Sequence, residues 1–307
     1  MQTITSPHLK GIWTPVLSPM TSELSLDRTR FLFHLNWLFD QGIDGAVIFG
    51  TNGEATSFSV TERKELLAWV RDEGYTNDQI IVGTGCSALA DTVDLCCHAT
   101  SQGYYNHLIL PPFYYKKPTQ QGLIDYYSEI IQRTNDPRVQ IYLYNFPQLS
   151  GIHLNADLVV ALHEKYPEVI RGYKDSSGDW NNTKEILAKC PDIIMFPGSE
   201  IYLTKVLGIG GAGVISGTAN VNPSKIKQAY SLFKTDPVKA AELQNDIDIF
   251  RTSVERYPLI AALKALIQHY RQDEGWQHLR PPLTALAPEN WDTLFSAVED
   301  LNFTLKD

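Results

Sequence analysis

A closed (β/α)8 barrel of the TIM type, followed by a C-terminal helical extension, is the α/β fold that this sequence predicts. Two observations carry the prediction. Short apolar runs alternate with longer amphipathic stretches eight times, joined by connections of a few residues. After the eighth pair the strand signal stops and helical periodicity takes over. A doubly wound open sheet is the alternative, but it rarely needs eight equal units.

The strand runs lie at 11–15, 45–49, 80–85, 107–111, 140–144, 169–174, 193–197 and 213–216. Each is rich in Val, Ile, Leu or aromatic residues and bounded by Gly, Pro or Asn. Near-continuous apolar runs suit parallel strands buried on both faces. Between them, 26–41 places Phe31, Leu35, Leu38 and Phe39 on one helical face. Ser59-Val60-Thr61-Glu62 is a capping box that opens a helix running towards Gly74. Helical stretches follow at 88–102, 119–134, 154–166, 180–189, 201–207 and 223–233. Three more, at 237–256, 258–271 and 288–302, each begin on a proline, which the first helical turn tolerates. The expected organisation is a barrel over 1–235 and a three-helix extension over 236–307 packed on it, with no low-complexity linker between.

Composition narrows the function classes. With 43% hydrophobic and 20% charged residues over 307 positions, the chain has ample material for a large core. A net charge of −9 and a pI near 5.4 argue against nucleic-acid or anionic-membrane partners. The same charge repels anionic substrates, so an acidic one needs a local polar site. The four cysteines show no CxxC spacing and fit free thiols in a reducing compartment. The first seven residues lack the basic and apolar regions of a signal peptide. No window approaches the roughly 18 apolar residues of a membrane span. The expectation is a cytoplasmic soluble protein, in which the sequons at Asn181 and Asn302 carry no weight.

Barrel enzymes assemble their sites at the C-terminal ends of the strands. That rule selects Gly50-Thr51-Asn52-Gly53-Glu54, Pro111-Pro112-Phe113-Tyr114-Tyr115, Tyr144-Asn145-Phe146-Pro147 and Lys174-Asp175-Ser176. The last ends the apolar run Val169-Ile170-Arg171-Gly172-Tyr173. Burial disfavours an ammonium, and a neutral amine can attack a ketone to form a Schiff base. A lysine at a strand end can also simply snorkel to solvent, tyrosines commonly cap strands, and Gly-Thr-Asn-Gly makes a good turn. Convergence of an amine, phenols, hydroxyls and a glycine-flanked loop on one rim favours a site.

These residues resemble the dihydrodipicolinate synthase/N-acetylneuraminate lyase family of class I Schiff-base aldolases. The resemblance runs from Gly11 to about Pro223 and rests on Gly50-Thr51-Asn52-Gly53-Glu54, Tyr144-Asn145-Phe146-Pro147, Gly172-Tyr173-Lys174-Asp175 and Gly213-Val214-Ile215-Ser216. It implies that Lys174 forms an imine with the C2 carbonyl of pyruvate or another 2-oxo acid. It makes Tyr144 the general acid/base and Thr51 its link to a tyrosine of a neighbouring subunit, at Tyr114 or the adjacent Tyr115. It gives the substrate carboxylate to the Thr51 and Asn52 N–H groups and the pyruvyl end to Gly198 and Ile215. It implies a homo-oligomer, a dimer or a tetramer of two dimers, and requires no metal or other cofactor.

Two departures narrow the substrate. The synthases carry an arginine where Leu149 stands, and losing that bidentate carboxylate clamp is hard to compensate. Ser176 stands where the synthases have alanine and the sugar-acid aldolases have a hydroxyl. Asn52 looks more like the 4-hydroxy-2-oxoglutarate and 2-keto-3-deoxy acid aldolases, and Gly217 is expected to leave room for a longer chain. The leading expectation is reversible cleavage of a 2-keto-3-deoxy sugar acid to pyruvate and an aldehyde. The alternatives are a Schiff-base dehydratase, a 4-hydroxy-2-oxoglutarate aldolase, the synthase, and an inactive keto-acid-binding barrel. Gly208-Ile209-Gly210-Gly211-Ala212-Gly213 matches a dinucleotide pattern but precedes a strand rather than a helix, so it reads as a tight strand entry. His107 and the Cys96-Cys97 pair read as packing, and Lys116 and Lys117 as a solvated rim, the alternative being attraction of a substrate's distal carboxylate.

Overall fold

The structure, a computed structural model, describes residues 9–301 and 303–305. The first seven residues, the Asn302 sequon and the predicted end of the last helix at 302 lie outside the described residues. The eight strands are β1 (Gly11–Pro15), β2 (Gly45–Ile48), β3 (Ile80–Gly83), β4 (Asn106–Ile109), β5 (Gln140–Asn145), β6 (Ile170–Asp175), β7 (Ile194–Pro197) and β8 (Gly213–Ile215). They pair in parallel in the order β7-β6-β5-β4-β3-β2-β1-β8. An Ala212 N–H bond to the Met195 carbonyl, 2.9 Å, brings the two outer strands together. This is the (β/α)8 barrel that the alternation predicts.

Strand side chains alternate between two cores, as a period of two requires. Trp13, Val47, Ile81, Leu108, Tyr142, Phe196 and Ile215 fill the barrel interior. Ile12, Ile48, Ile80, Leu143 and Met195 pack outward under the helices. The first four helices are α1 (Arg28–Asp40), α2 (Val60–Asp72), α3 (Leu89–Ser101) and α4 (Gln120–Thr134). The next four are α5 (Pro147–Ser150), α6 (Ala156–Lys165), α7 (Trp180–Lys189) and α8 (Leu203–Gly208). Both halves of the Ser59/Glu62 capping box are made.

The remaining helices are α9 (Pro223–Leu232), α10 (Pro237–Val254), α11 (Leu259–Arg271) and α12 (Trp291–Glu299). Side chains of α10, α11 and α12 share one core with Leu17 and Val221, which follow β1 and β8. The C-terminal helices therefore pack against the end of the barrel where the strands deliver their C-termini.

Several sequence boundaries need correction. β2 and β3 stop at Ile48 and Gly83, short of 49 and 85. β4 runs a little earlier than 107–111, while β5 and β6 run on to Asn145 and Asp175. The 201–207 stretch is two elements, a 3-10 turn Glu200–Tyr202 and then α8. Only Pro237 occupies the first turn of its α-helix; Pro258 is the cap residue before α11, and Pro288 opens a 3-10 turn ahead of α12. Cys96 is buried as expected, but Cys97 beside it is exposed, because adjacent positions on a helix face different ways. His107 is fully buried, its Nε2 3.3 Å from Thr100 Oγ1, and burial pushes it down to about 4.

Candidate active site

The site begins with a register. β5 and β6 align Tyr144 with Lys174 and Asn145 with Asp175. The register shifts once, between the Ile141–Ile170 and Tyr142–Gly172 pairs, so Arg171 is the extra residue of a bulge. A bulge re-aims the side chains that follow it. Here Gly172 comes next, and a methyl group there would lie 2.0 Å from the Tyr142 ring. Beyond it, Tyr173 points out to donate to the Leu154 carbonyl at 2.6 Å, and Lys174 points in.

Lys174 is only 2% exposed, and its Nζ sits 4.1 Å from the centre of the Tyr144 ring. Among the described residues it has no carboxylate partner. The Tyr144 hydroxyl lies 3.0 Å from Thr51 Oγ1. Amine, phenol and threonine hydroxyl thus form a continuous line across β6, β5 and the loop after β2. Asp175, the next residue, faces the helices and is saturated by four neutral donors. They are Asn145 Nδ2 at 3.1 Å, Ser177 N at 3.0 Å, Asn182 Nδ2 at 2.8 Å and Thr183 Oγ1 at 3.0 Å. The strand is therefore locked on its outer face at the level where Lys174 enters the barrel.

The loop after β2 supplies a second feature. Its Thr51 carbonyl accepts from Glu54 N at 3.0 Å, and its Gly50 carbonyl accepts from Ala55 N. The N–H groups of Thr51 and Asn52 donate to no protein group among the described residues, although Asn52 is buried. Buried backbone donors are nearly always paired, and successive unpaired N–H groups form a concavity suited to an oxyanion.

On the far side of the lysine, Ser176 Oγ lies against Gly198, where a methyl group would come within 2.0 Å of it. Gly217 is similarly covered by the Asn52 carboxamide, 2.7 Å from where a Cβ would stand. The room expected at Gly217 is therefore taken by Asn52. Ile215 lies fully buried at the end of β8, opposite Trp13.

A scan of the chain against family models matches the dihydrodipicolinate synthetase family over residues 8–301. The chain belongs to that family. An uncharacterized DapA-like lyase of Chloroflexus aurantiacus is 31% identical over 94% of this chain and 96% of its own. A probable mitochondrial 4-hydroxy-2-oxoglutarate aldolase of Emericella nidulans is 30% identical over 90% of this chain and 89% of its own. The solved dihydrodipicolinate synthase of Agrobacterium tumefaciens superposes with a TM-score of 0.87 at 27% identity, over 95% of this chain and 99% of that one.

As a member of the dihydrodipicolinate synthetase family the protein is a class I aldolase/lyase. Its expected site residues fall into two groups. Lys174, Tyr144, Thr51, Asn52, Ser176, Gly198 and Ile215 gather at the C-terminal strand ends. Tyr114 and Tyr115 stand apart, 74% and 77% exposed and packed edge to face on each other. Lys116 is exposed, but its ammonium is tied to the Phe113 and Ser150 carbonyls.

Glu200 at this rim has no place in the sequence motifs, and Glu54 stands in one of them without any sign of its buried partner. Glu200, fully buried after β7, accepts from Ser216 Oγ, Thr218 Oγ1 and Arg251 Nη1. Glu54 pairs with Lys264 Nζ at 2.5 Å. Their partners lie 51 and 210 residues away along the chain, and no local pattern signals them.

Proposed function

We propose that the protein cleaves a 2-keto-3-deoxy sugar acid, such as 2-keto-3-deoxygluconate, reversibly to pyruvate and an aldehyde. The line from Lys174 through the Tyr144 hydroxyl to Thr51 carries this reading. Lys174 Nζ attacks the C2 ketone, and loss of water leaves an iminium. The C3–C4 bond then breaks, its electron pair flowing into the iminium to give an enamine, while the C4 hydroxyl loses its proton and departs as the aldehyde. Tyr144, relayed by Thr51, carries that proton and later returns one to C3. Hydrolysis of the imine releases pyruvate and restores the amine. The free Thr51 and Asn52 N–H groups hold the carboxylate, Ser176 meets the substrate hydroxyls, and Gly198 and Ile215 line the pyruvyl end. Tyr114 of a second copy completes the relay in a homo-oligomer, a role its exposure permits.

Leu149 supports a neutral, hydroxylated aldehyde half, since it is 58% exposed where a synthase needs a cation. A second reading, 4-hydroxy-2-oxoglutarate cleavage, draws on the Emericella relative and on Lys116, whose ammonium lies beside the turn that carries Leu149. Lys116→Met would then weaken cleavage of the dicarboxylate and leave the sugar acid unaffected.

The test is an intact-mass spectrum after borohydride reduction with each acid, for wild type and Lys174→Ala. A pyruvate-sized adduct on wild type alone supports the aldolase. An adduct of full carbon length lacking one further water replaces it with the dehydratase. No adduct with either acid or with pyruvate overturns the imine and leaves a keto-acid-binding barrel.

A further inference from the structure

The loop that presents the Thr51 and Asn52 N–H groups is held from two directions, by its own half of the barrel and by the C-terminal helices. Locally, Ser18 Oγ donates to the Gly53 carbonyl at 2.8 Å, and a Cβ on Gly53 would meet the Val16 carbonyl at 2.8 Å. The loop's exit depends on Glu54. This residue adopts a left-handed backbone, φ 54°, which is unfavourable for a residue with a Cβ and persists only where surroundings enforce it. Its side chain is 0% exposed and its Oε1 meets Lys264 Nζ, itself 1% exposed, on α11. The ammonium also donates to the His278 carbonyl at 2.9 Å. Among the described residues Glu54 Oε2 has no hydrogen-bond partner.

A buried ion pair contributes little net stability, because desolvation offsets most of the attraction. What it fixes is direction: Lys264 loses its carboxylate if it turns away, and Glu54 is left with the backbone N–H and charge of Arg280 as its remaining favourable neighbours. Burial pushes Glu54 up and Lys264 down, and each opposes that push in the other. We propose that Lys264 is a positioning residue that acts through Glu54 to aim the Thr51 and Asn52 N–H groups at the carboxylate of the bound 2-oxo acid. This rests on the reading that those groups bind the carboxylate. It makes the C-terminal extension part of the substrate-recognition machinery without any side chain of it touching substrate.

The experiment uses the full chain with pyruvate as the probe and borohydride trapping as the readout. Wild type, Lys264→Met and the double variant Glu54→Met/Lys264→Met are compared. The pyruvate concentration giving half-maximal trapping should rise roughly tenfold or more in both variants, while the trapping rate at saturation changes less than about threefold. Amide exchange in 50–58 should quicken relative to 170–176. The double variant removes the charge cost and should melt close to wild type, so it decides the matter if Lys264→Met does not fold. Variants that fold, half-saturate at the wild-type pyruvate concentration and exchange 50–58 at the wild-type rate overturn the proposal. If wild type itself is not trapped, the imine reading fails, and exchange in 50–58 still decides whether Lys264 holds the loop.

Discussion

The two sides of the site hold their buried carboxylates in opposite ways. Beside the lysine, Asp175 takes four hydrogen bonds from neutral donors, all within residues 145–183. After β2 and after β7, by contrast, Glu54 and Glu200 each take a cation from the C-terminal helices, Lys264 and Arg251. Neutral donors from neighbouring elements fix this carboxylate beside the lysine without a cation, so the rim around Lys174 is finished by its own βα units. The loop after β2 is finished only when helices far along the chain have docked. With the roles proposed for these two rims, damage to the extension should weaken pyruvate half-saturation before it slows trapping at saturation.

The sharpest way to break this contrast is Arg251→Met. It leaves Glu200 buried with two hydroxyl donors and no cation, and loss of one partner from a buried pair costs about 3–5 kcal/mol. Urea unfolding should show that loss, and Arg251→Lys should recover part of it. A loss below about 1 kcal/mol would mean that the Ser216 and Thr218 hydroxyls suffice, and that both sides use the same device.

Asp175→Ala tests the other side. Removing the carboxylate strands the Asn145, Ser177 and Thr183 donors, each worth about 1 kcal/mol or more when unpaired, and leaves Asn182 Nδ2 with the Tyr173 hydroxyl. The expected loss is about 3 kcal/mol in urea, with slower borohydride trapping at saturating pyruvate because β6 no longer holds Lys174. Unchanged trapping would show that the β5–β6 register alone aims the lysine.

A third prediction separates charge from packing by pH. His34, fully buried, bridges Asn220 and Arg271 and is pushed down to about 3 by burial, as His107 is to about 4. Both folded values lie below the unfolded 6.5, so the unfolded chain binds more protons as pH falls. Their contribution is complete above pH 6.5 and is lost as pH falls towards 4 and then 3. At pH 5 the loss is about 2 kcal/mol for each histidine. His34→Gln and His107→Gln should each flatten the acid side of the stability profile, whatever their effect at pH 8.

The same division explains what the sequence revealed. Barrel order, the capping box and the inward line of Lys174, Tyr144 and Thr51 rest on local periodicity and on motifs at strand ends. The Arg171 bulge left no trace, because an arginine in an apolar run reads as a strand residue. Glu200, Arg251 and Lys264 stand in no motif, and Glu54 stands in one, but nothing within a helical turn or strand pair shows that each has a buried partner. Gly217 was misread for a related reason: the Asn52 carboxamide that covers it arrives from another loop.

The smallest expected effect sharpens the comparison most cleanly. Ser59 caps α2 beside the loop after β2, accepting from Glu62 N at 3.3 Å while Glu62 accepts from Ser59 N at 2.9 Å. Ser59→Ala removes one half of the box and should cost about 1 kcal/mol, a fall in melting temperature of roughly 1–3 °C for a chain of this size. The cap lies closer in sequence to Thr51 than Lys264 does, yet it is a local device that bears on the start of α2 rather than on the loop's exit. Its loss should leave half-saturation with pyruvate unchanged. A rise in half-saturation matching that of Lys264→Met would mean that any loosening near the β2 rim disturbs the oxyanion donors, and the special place given to the extension would go with it.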